Sequence, residues 1–578
     1  MPKRRQTARK QRISTKTEAR QSGLSVKPGD LRAFRWGWMA FVILATSLPY
    51  LVFWFRTPAN HRYTWILPPY PEDSFAYIAW SQQAAHGNLL FRLKYTALPH
   101  APFVFHPFFL LSGWMSRLSA CDIGIVHWVM KAVGTGLFFV VLYAYTDWLQ
   151  LNRFQSVVAS VLVGISAGFG GLFPILGLGN QRLTVPADLW MPEMSTYFSL
   201  LWNVLFPCSL ALIVLIIYWL DRGSTDARKA GQENDAQEKD AFTKYFWLGG
   251  FAAAVLALIH PYVIPLVFAF AAIIVLVRAR RAGSSLLVRF FLASSPGVLY
   301  VVLVSLFQPL ASRHSTSGEM ESPGLLYYLL GFGLPLLICV AALTVTPGQW
   351  IKRNWQLVLW FLLSLGFAYL PFWFQRKLIF GAQIPVCILA AICLDLILTR
   401  FPGIRNRNWA LATVAVVSLP LLMATPVYLL RYAATTVRNN ADDTYYMSND
   451  MLAGLKFLKE KTQPEEIVYA NIATSRLIPA FSGNTVLWGH WAQSVDFAER
   501  RQWNAHLFQA TPIGPDQERS VEFWGTGIHY IFADTKLKKS IEENPEKWRG
   551  ILHDADLVFT NSSVVIYKHR TGGPSSPG

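Results

Sequence analysis

The sequence predicts a polytopic α-helical membrane protein of about 11 spanning helices with a C-terminal extracytoplasmic α/β domain, and three observations predict it. The 578 residues are 53% hydrophobic and 15% charged, with a mean hydropathy of +0.30, more apolar surface than a soluble chain of this length can bury. The apolar residues gather into runs that match a hydrocarbon core of about 30 Å. The cations between those runs fall on alternate loops, as the positive-inside rule requires.

Residues 1–35 hold eleven Lys and Arg against Glu18 and Asp30, about half of the net charge of +18. They read as a basic, disordered cytoplasmic tail beside anionic lipid, and the concentration of charge in one tail argues against nucleic acid as a partner. No cleavable signal peptide is expected, because the apolar run that opens near Trp36 is long enough to remain as a span. The eleven runs are 36–55, 123–147, 156–178, 199–220, 246–260, 262–278, 285–308, 325–346, 355–372, 378–398 and 409–430. The fifth and sixth meet at His260-Pro261-Tyr262 and form either a tight hairpin or one kinked element. Cys121, Cys208, Cys339, Cys387 and Cys393 show no metal-ligand spacing and read as small core residues.

With the N-terminus inside, the inner loops contain Arg153, the linker 221–245, Arg278 with Arg280 and Arg281, Lys352 with Arg353, and Arg400 with Arg405 and Arg407. The outer side receives 56–122, 179–198, 309–324, the turn at Gln375-Arg376-Lys377 and everything after about 431. The linker 221–245 mixes its charges and reads as a solvated loop. Residues 103–118 are apolar but interrupted by His106, Pro107 and Arg117, and are assigned as an interfacial helix. This divides the chain into the tail, a transmembrane domain over 36–430 and a C-terminal domain over 431–578. In the last, MLAGLKFLKEK, EIVYA, a helical stretch at 495–509, HYIFAD, LVFT and SVVIYK alternate helix and strand patterns without a phosphate-cradling glycine loop.

The loop 56–122 is richest in chemistry. Its Tyr70-Pro71-Glu72-Asp73-Ser74-Phe75-Ala76-Tyr77, followed by AWSQQAAHGNLLF, opens an amphipathic helix on two adjacent carboxylates, with Tyr77 four residues past Asp73. Adjacent helical side chains diverge, so one carboxylate faces a cleft while the other caps the helix. The plain alternative makes both acids partners of the helix dipole.

This acidic pair ahead of Tyr, with a small residue and Gly at the helix end, resembles the GT-C superfamily of membrane glycosyltransferases. FVFHPFFLLSGWMSRL occupies the place of a proline-led helix in relatives of protein mannosyltransferases and lipid A aminoarabinose transferases. LALIHPY, FQRKLIFGAQIP and FSGNTVLWGHW are similar to segments of bacterial GT-C-like proteins. The motifs are short, and their ordered set carries the resemblance over most of the chain. It implies a multi-pass protein of the inner (plasma) membrane that moves a sugar from a polyprenyl-phosphate-linked donor to a glycan, lipid or protein acceptor at the outer face. Asp73 is then the general base, with Glu72 orienting the acceptor or taking the role itself, and Tyr77 beside them as a substrate contact. A carboxylate in a partly dry cleft is expected to have a raised pKa.

Further candidates follow from that reading. Glu193, in Asp188-Leu189-Trp190-Met191-Pro192-Glu193, stands before a span as a sugar or acceptor ligand, or as an ordinary helix-start acid. Arg376 and Lys377 break the positive-inside rule at the outer boundary and would hold the donor phosphate, the alternative being snorkelling to headgroups. Arg313 and His314 are weaker candidates for the same role. His260 at the outer end of the fifth span, and His490 among the glycines and tryptophans of GNTVLWGHW, are candidate substrate contacts, each with a structural alternative. No metal site is assigned and no cofactor is certain; a divalent cation stays open, because GT-C enzymes differ in needing one. Many of the 22 tryptophans sit at span ends, where interfacial belts form. A transporter or flippase of a lipid-linked or polar solute is the competing class. Against it, no matched pair of broken helices is evident and the charges cluster at the boundary. A catalytically silent assembly or sensor protein is a third reading, one in which Asp73 is dispensable.

Overall fold

The computed structural model describes residues 28–570 apart from 180, 234–237, 280–282, 312–319, 347, 406–407, 496 and 509–515. Most of the expected basic tail, and Arg280, Arg281, Arg313, His314 and Arg407, lie outside the described residues. In chain order the helices are α1 (Pro28–Phe55), two helices of the first loop, α2 (Pro71–Ala85) and α3 (Pro107–Ser119), then α4 (Ile123–Trp148), α5 (Arg153–Ile165), α6 (Phe206–Glu233), α7 (Glu238–Ile259), α8 (Ile264–Ala279), α9 (Gly283–Phe307), α10 (Leu325–Val345), α11 (Trp355–Phe367), α12 (Gln383–Arg400) and α13 (Asn408–Asn439).

Among the described residues, nine of these helices are long and apolar enough to cross a membrane, while α5 and α11 are apolar but 13 residues each. Every expected run therefore contains a helix, though not always over its whole length, and the chain is a multi-pass membrane protein. The break between the fifth and sixth runs falls at His260, followed by a single 3-10 turn over Pro261–Val263.

The third run was expected to extend over 156–178, but α5 stops at Ile165. It starts on a capping box in which Asn152 and Gln155 exchange hydrogen bonds, and it ends where Ser166 turns into extended backbone. A Cβ at Gly168 would lie 2.2 Å from the Gly331 carbonyl oxygen, and Gly333 breaks α10 with φ +58°. Two interrupted helices thus cross backbone to backbone, an approach only glycine permits. Asp188 ties the junction, accepting from the Gly170 N–H at 3.1 Å and from Thr425 of α13 at 2.5 Å. Gln383 joins it to α12 by donating to the Ser166 carbonyl at 2.9 Å. The expectation of no paired broken helices is corrected here: glycines leave hydropathy unchanged, so a hydropathy pattern hides the break.

The linker 221–245 is also corrected. Instead of a solvated loop, α6 continues to Glu233 and α7 opens at Glu238. Asp221, buried, pairs with Arg278 and accepts from the Trp148 indole at 3.1 Å, so this polar stretch begins as a helix packed inside the protein. Once a span has nucleated a helix, extending it through Arg, Lys, Gln and Glu costs little. Cys121 is exposed rather than a core residue, Cys208 is half-buried, and Cys339, Cys387 and Cys393 are buried.

The last span continues as α13 to Asn439, so the sheet-bearing part begins near 440 rather than 431. Two strands fasten it to the first loop: β1 (His61–Tyr63) pairs antiparallel with β2 (Tyr446–Ser448). The main sheet has the order β4-β3-β5-β7-β6, formed by β3 (Ile467–Tyr469), β4 (Thr485–Val486), β5 (Ile528–Ala533), β6 (Ala555–Thr560) and β7 (Val565–His569). The first three are mutually parallel and β7 runs against β5 and β6. Helix α14 (Asn449–Lys461) and helix α15 (Ile472–Phe481) flank it, and α15 packs on α2, with Phe75 and Phe481 6.1 Å apart edge to face. Phe75, Ile78, Leu477 and Ile478 belong to one buried apolar cluster, which makes the first loop and the α/β region a continuous body.

Candidate active site

Helix α2 begins with Pro71 at its first turn, where a missing N–H costs nothing, and Glu72 and Asp73 follow. The two carboxylates diverge as expected. Glu72 lies toward Tyr445, whose phenol it helps to raise after burial and Tyr432, whereas Asp73 turns toward the α/β region with 27% of its side chain exposed.

Asp73 meets His490 there. Gly489, with φ +150°, carries the turn across the backbone of Ser475, and Ser494 Oγ accepts from the Gly489 and His490 N–H groups at 3.0 and 3.1 Å. The ring of His490 is thereby fixed, with Nδ1 accepting from the Ala492 and Gln493 N–H groups, each at 3.1 Å. A nitrogen that accepts cannot carry the proton, so the proton sits on Nε2 and is donated to Asp73 Oδ1 at 3.1 Å. Burial raises the Asp73 carboxyl, but the hydrogen bond of His490, the charge of Lys377 and the Trp491 side chain outweigh it and hold its pKa below the usual carboxylate value. The expected raised pKa is therefore corrected: the partners that lower it come from the far end of the chain.

Lys377, on the 3-10 turn Gln375–Ile379 ahead of α12, acts on this carboxylate through its charge, while its Nζ lies 4.0 Å from the Tyr262 ring centre. Lys377 also lies close to His260, which is buried between the rings of Phe206 at 5.3 Å and Phe380 at 4.8 Å. His260 Nδ1 has no hydrogen-bond partner among the described residues. Tyr77, one turn past Asp73, stacks on Phe109 at 5.0 Å, and its phenol accepts from Asn203 at 3.5 Å.

Arg376 points elsewhere. Its guanidinium lies 5.4 Å from the Trp190 ring and near Tyr70, and Glu193 approaches the same phenol. Tyr70 donates to the Trp190 carbonyl at 2.6 Å and feels Arg182, Glu193, Arg376 and Asp73 together, so it joins the two outer-loop acids.

Tyr70, Trp491 and His106 appear in the sequence reading only within motifs or as an interruption of 103–118, and none of them stands there as a site residue. His106, the residue before α3, is 8% exposed, lies 4.2 Å from the Phe109 ring centre and near His260, and has an unpartnered Nδ1 among the described residues. Trp80, stacked beside it, has an unpartnered indole N–H. Tyr and Trp are too common in this chain to stand out, and the proline after His106 was the one available signal. A separate small cavity lies behind α2 among Ser74, Tyr77, Trp202 and Lys131, and its lining does not include Asp73.

Asp73, Glu193, Tyr77, His260, Lys377 and His490 thus converge on one end of the helices, beneath the α/β region. This end combines a carboxylate, a histidine that aims a proton at it, a cation, and buried polar atoms among aromatic faces. Among the described residues no group of three or more His, Cys, Asp or Glu side chains is placed to hold a metal ion.

No family model matches the sequence, and no curated protein does. Among solved structures, the chain is similar to the archaeal oligosaccharyltransferase AglB from Archaeoglobus fulgidus in complex with an inhibitory peptide and a dolichol-phosphate (TM-score 0.47, 13% identity, covering 92% of this chain and 74% of that one). It is similar to ArnT from Cupriavidus metallidurans bound to undecaprenyl phosphate (0.49, 12%, 93% and 99%) and to the mycobacterial arabinofuranosyltransferase AftD (0.46, 14%, 93% and 40%).

Proposed function

We propose that the chain is a glycosyltransferase that moves a sugar from a polyprenyl-phosphate-linked donor to an acceptor hydroxyl at the membrane face beneath the α/β region. The observation that carries this reading is the hydrogen bond between His490 and Asp73, with the charge of Lys377 acting on the same carboxylate, three residues from separate parts of the sequence. Asp73, ionised, accepts the proton as the acceptor oxygen attacks the anomeric carbon, and the bond from that carbon to the phosphate oxygen breaks. His490 fixes the carboxylate by its Nε2–H. Lys377 holds the donor phosphate and offsets the charge that grows on it as it leaves. Asp73 works here as a well-ionised base that also favours the positive charge developing on the sugar. Tyr77 and Glu193 contact donor or acceptor, and so does His260 Nδ1, which has no partner among the described residues, because a buried polar atom left unpaired costs about 1–3 kcal/mol.

The orientation that fits places this face outside the cytoplasm and the N-terminus within it. Arg278, Lys352 and Arg353 then lie on the inner side. The acceptor is a glycan, lipid or protein hydroxyl. A second reading, transport of a lipid-linked or polar solute, draws on the paired breaks at Ser166 and Gly333. The test is to purify wild type and Asp73→Asn and follow sugar release from a panel of polyprenyl-phosphate sugars. Transfer by wild type that Asp73→Asn loses supports the proposal; no release with any donor favours transport; release undiminished by the substitution removes Asp73 from the chemistry.

A further inference from the structure

At the other end of the helices lies a pocket that the proposed reaction does not use. It is lined by Thr225, Arg228, Arg278, Lys352, Arg353 and Trp355. The pocket sits where α6 and α8 end and α11 begins, about 30 Å along α6 from Phe206 and His260. Its lining carries four cations and no carboxylate.

Arg278 is committed to the protein. It pairs with buried Asp221, donates to Thr225 at 2.8 Å and lies 5.2 Å from the Trp355 ring centre. Arg228, Lys352 and Arg353 have no ion-pair partner among the described residues, and all three are exposed. These three like charges around one hollow repel one another, and an anion seated among them relieves that repulsion.

We propose that this pocket binds the phosphate-bearing headgroup of an anionic membrane phospholipid. A lipid is favoured over a soluble anion by the surroundings. Leu276 and Val277, the two residues before Arg278 on a membrane-spanning helix, are 50% and 58% exposed and give acyl chains an apolar wall that ends at the cations. Trp355 stands at the same level, where an indole spans apolar and polar layers. Each cation near a headgroup adds to the attraction for an anionic lipid, so three cations without an ion-pair partner among the described residues discriminate strongly between anionic and zwitterionic lipids.

The test is native mass spectrometry of the full-length protein in non-ionic detergent, titrated with phosphatidylglycerol, phosphatidylcholine and inorganic phosphate. Wild type is expected to bind phosphatidylglycerol at least about tenfold more tightly than phosphatidylcholine. The triple variant Arg228→Ala, Lys352→Ala, Arg353→Ala is expected to lose that preference, and Arg228→Lys with Arg353→Lys to keep most of it. Asp73→Asn is expected to bind lipid like wild type, which separates this site from the proposed transfer reaction. Equal binding of the two lipids by wild type, or a preference that survives the triple substitution, overturns the proposal. Inorganic phosphate that binds as tightly as phosphatidylglycerol and displaces it assigns the pocket to a soluble anion and also overturns it.

Discussion

Replacing His490 with alanine removes the donor that Asp73 Oδ1 meets at 3.1 Å, and the consequence can be worked from the surroundings of that carboxylate. Burial raises the Asp73 pKa, and His490, with Lys377 and Trp491, reverses the sign. Without His490 burial opposes only the last two, so the pKa rises. A hydrogen bond to a charged group contributes about 1.5–3 kcal/mol. With 27% of the carboxylate side chain exposed, solvent screening points to the lower end. About 1.5 kcal/mol corresponds to roughly one pH unit. Asp73 must be ionised to take the acceptor's proton, so the acid limb of the rate profile moves upward by roughly one unit in His490→Ala. Stability follows the same sign. A carboxyl whose folded pKa is depressed contributes stability above its unfolded pKa and loses it as pH falls through the folded value, and the variant loses part of that contribution. The assay is sugar release from a polyprenyl-phosphate donor between about pH 4 and 8. His490→Gln restores a donor and part of the profile. An acid limb in His490→Ala that overlays wild type shows that His490 does not govern Asp73, and the reasoning fails.

Other substitutions follow from the same geometry. Asp73→Asn lowers kcat by about 10²–10⁴-fold with folding intact, whereas Glu72→Gln changes it little, because Glu72 faces away; steady-state rates with matched melting curves check both. Lys377→Ala loses about 10²-fold in kcat/KM and Lys377→Arg recovers part of it, as expected of a cation on the leaving phosphate. Gly168→Ala sets a Cβ 2.2 Å from the Gly331 carbonyl oxygen and lowers thermal stability by at least about 2 kcal/mol, read as a drop in Tm. Arg278→Ala leaves Asp221 buried without its cation and costs about 3–5 kcal/mol in a denaturation assay.

Much of this fold was legible because hydropathy and charge report the membrane directly: each of the eleven apolar runs contains a helix, and the stretch 103–118 carries the helix α3. The polar continuation of α6 was misread because mixed charge reads as solvated loop, while the helix had already been nucleated in the span. The crossing at Gly168 and Gly333 escaped because a break made of glycine keeps its hydropathy. At the site, Asp73 stood out as an acid opening a helix after a span, and Lys377 as a cation on the wrong side. His490 was marked by its neighbours Gly489 and Trp491, but its partner lies 417 residues away, a pairing no local pattern encodes. The direction of the Asp73 pKa was missed for the same reason. Tyr70 and His106 needed the fold itself, since only the packed loops bring them to the carboxylates.

The claim that Asp73 and His490 act as one unit is tested most directly by a double-mutant cycle on kcat/KM with wild type, Asp73→Asn, His490→Ala and the double variant. Residues that share one proton-accepting function are strongly non-additive, so the double variant is expected to be no slower than Asp73→Asn alone. A double variant slowed by the product of the two single effects would mean that the carboxylate and the histidine serve separate purposes, contradicting the account.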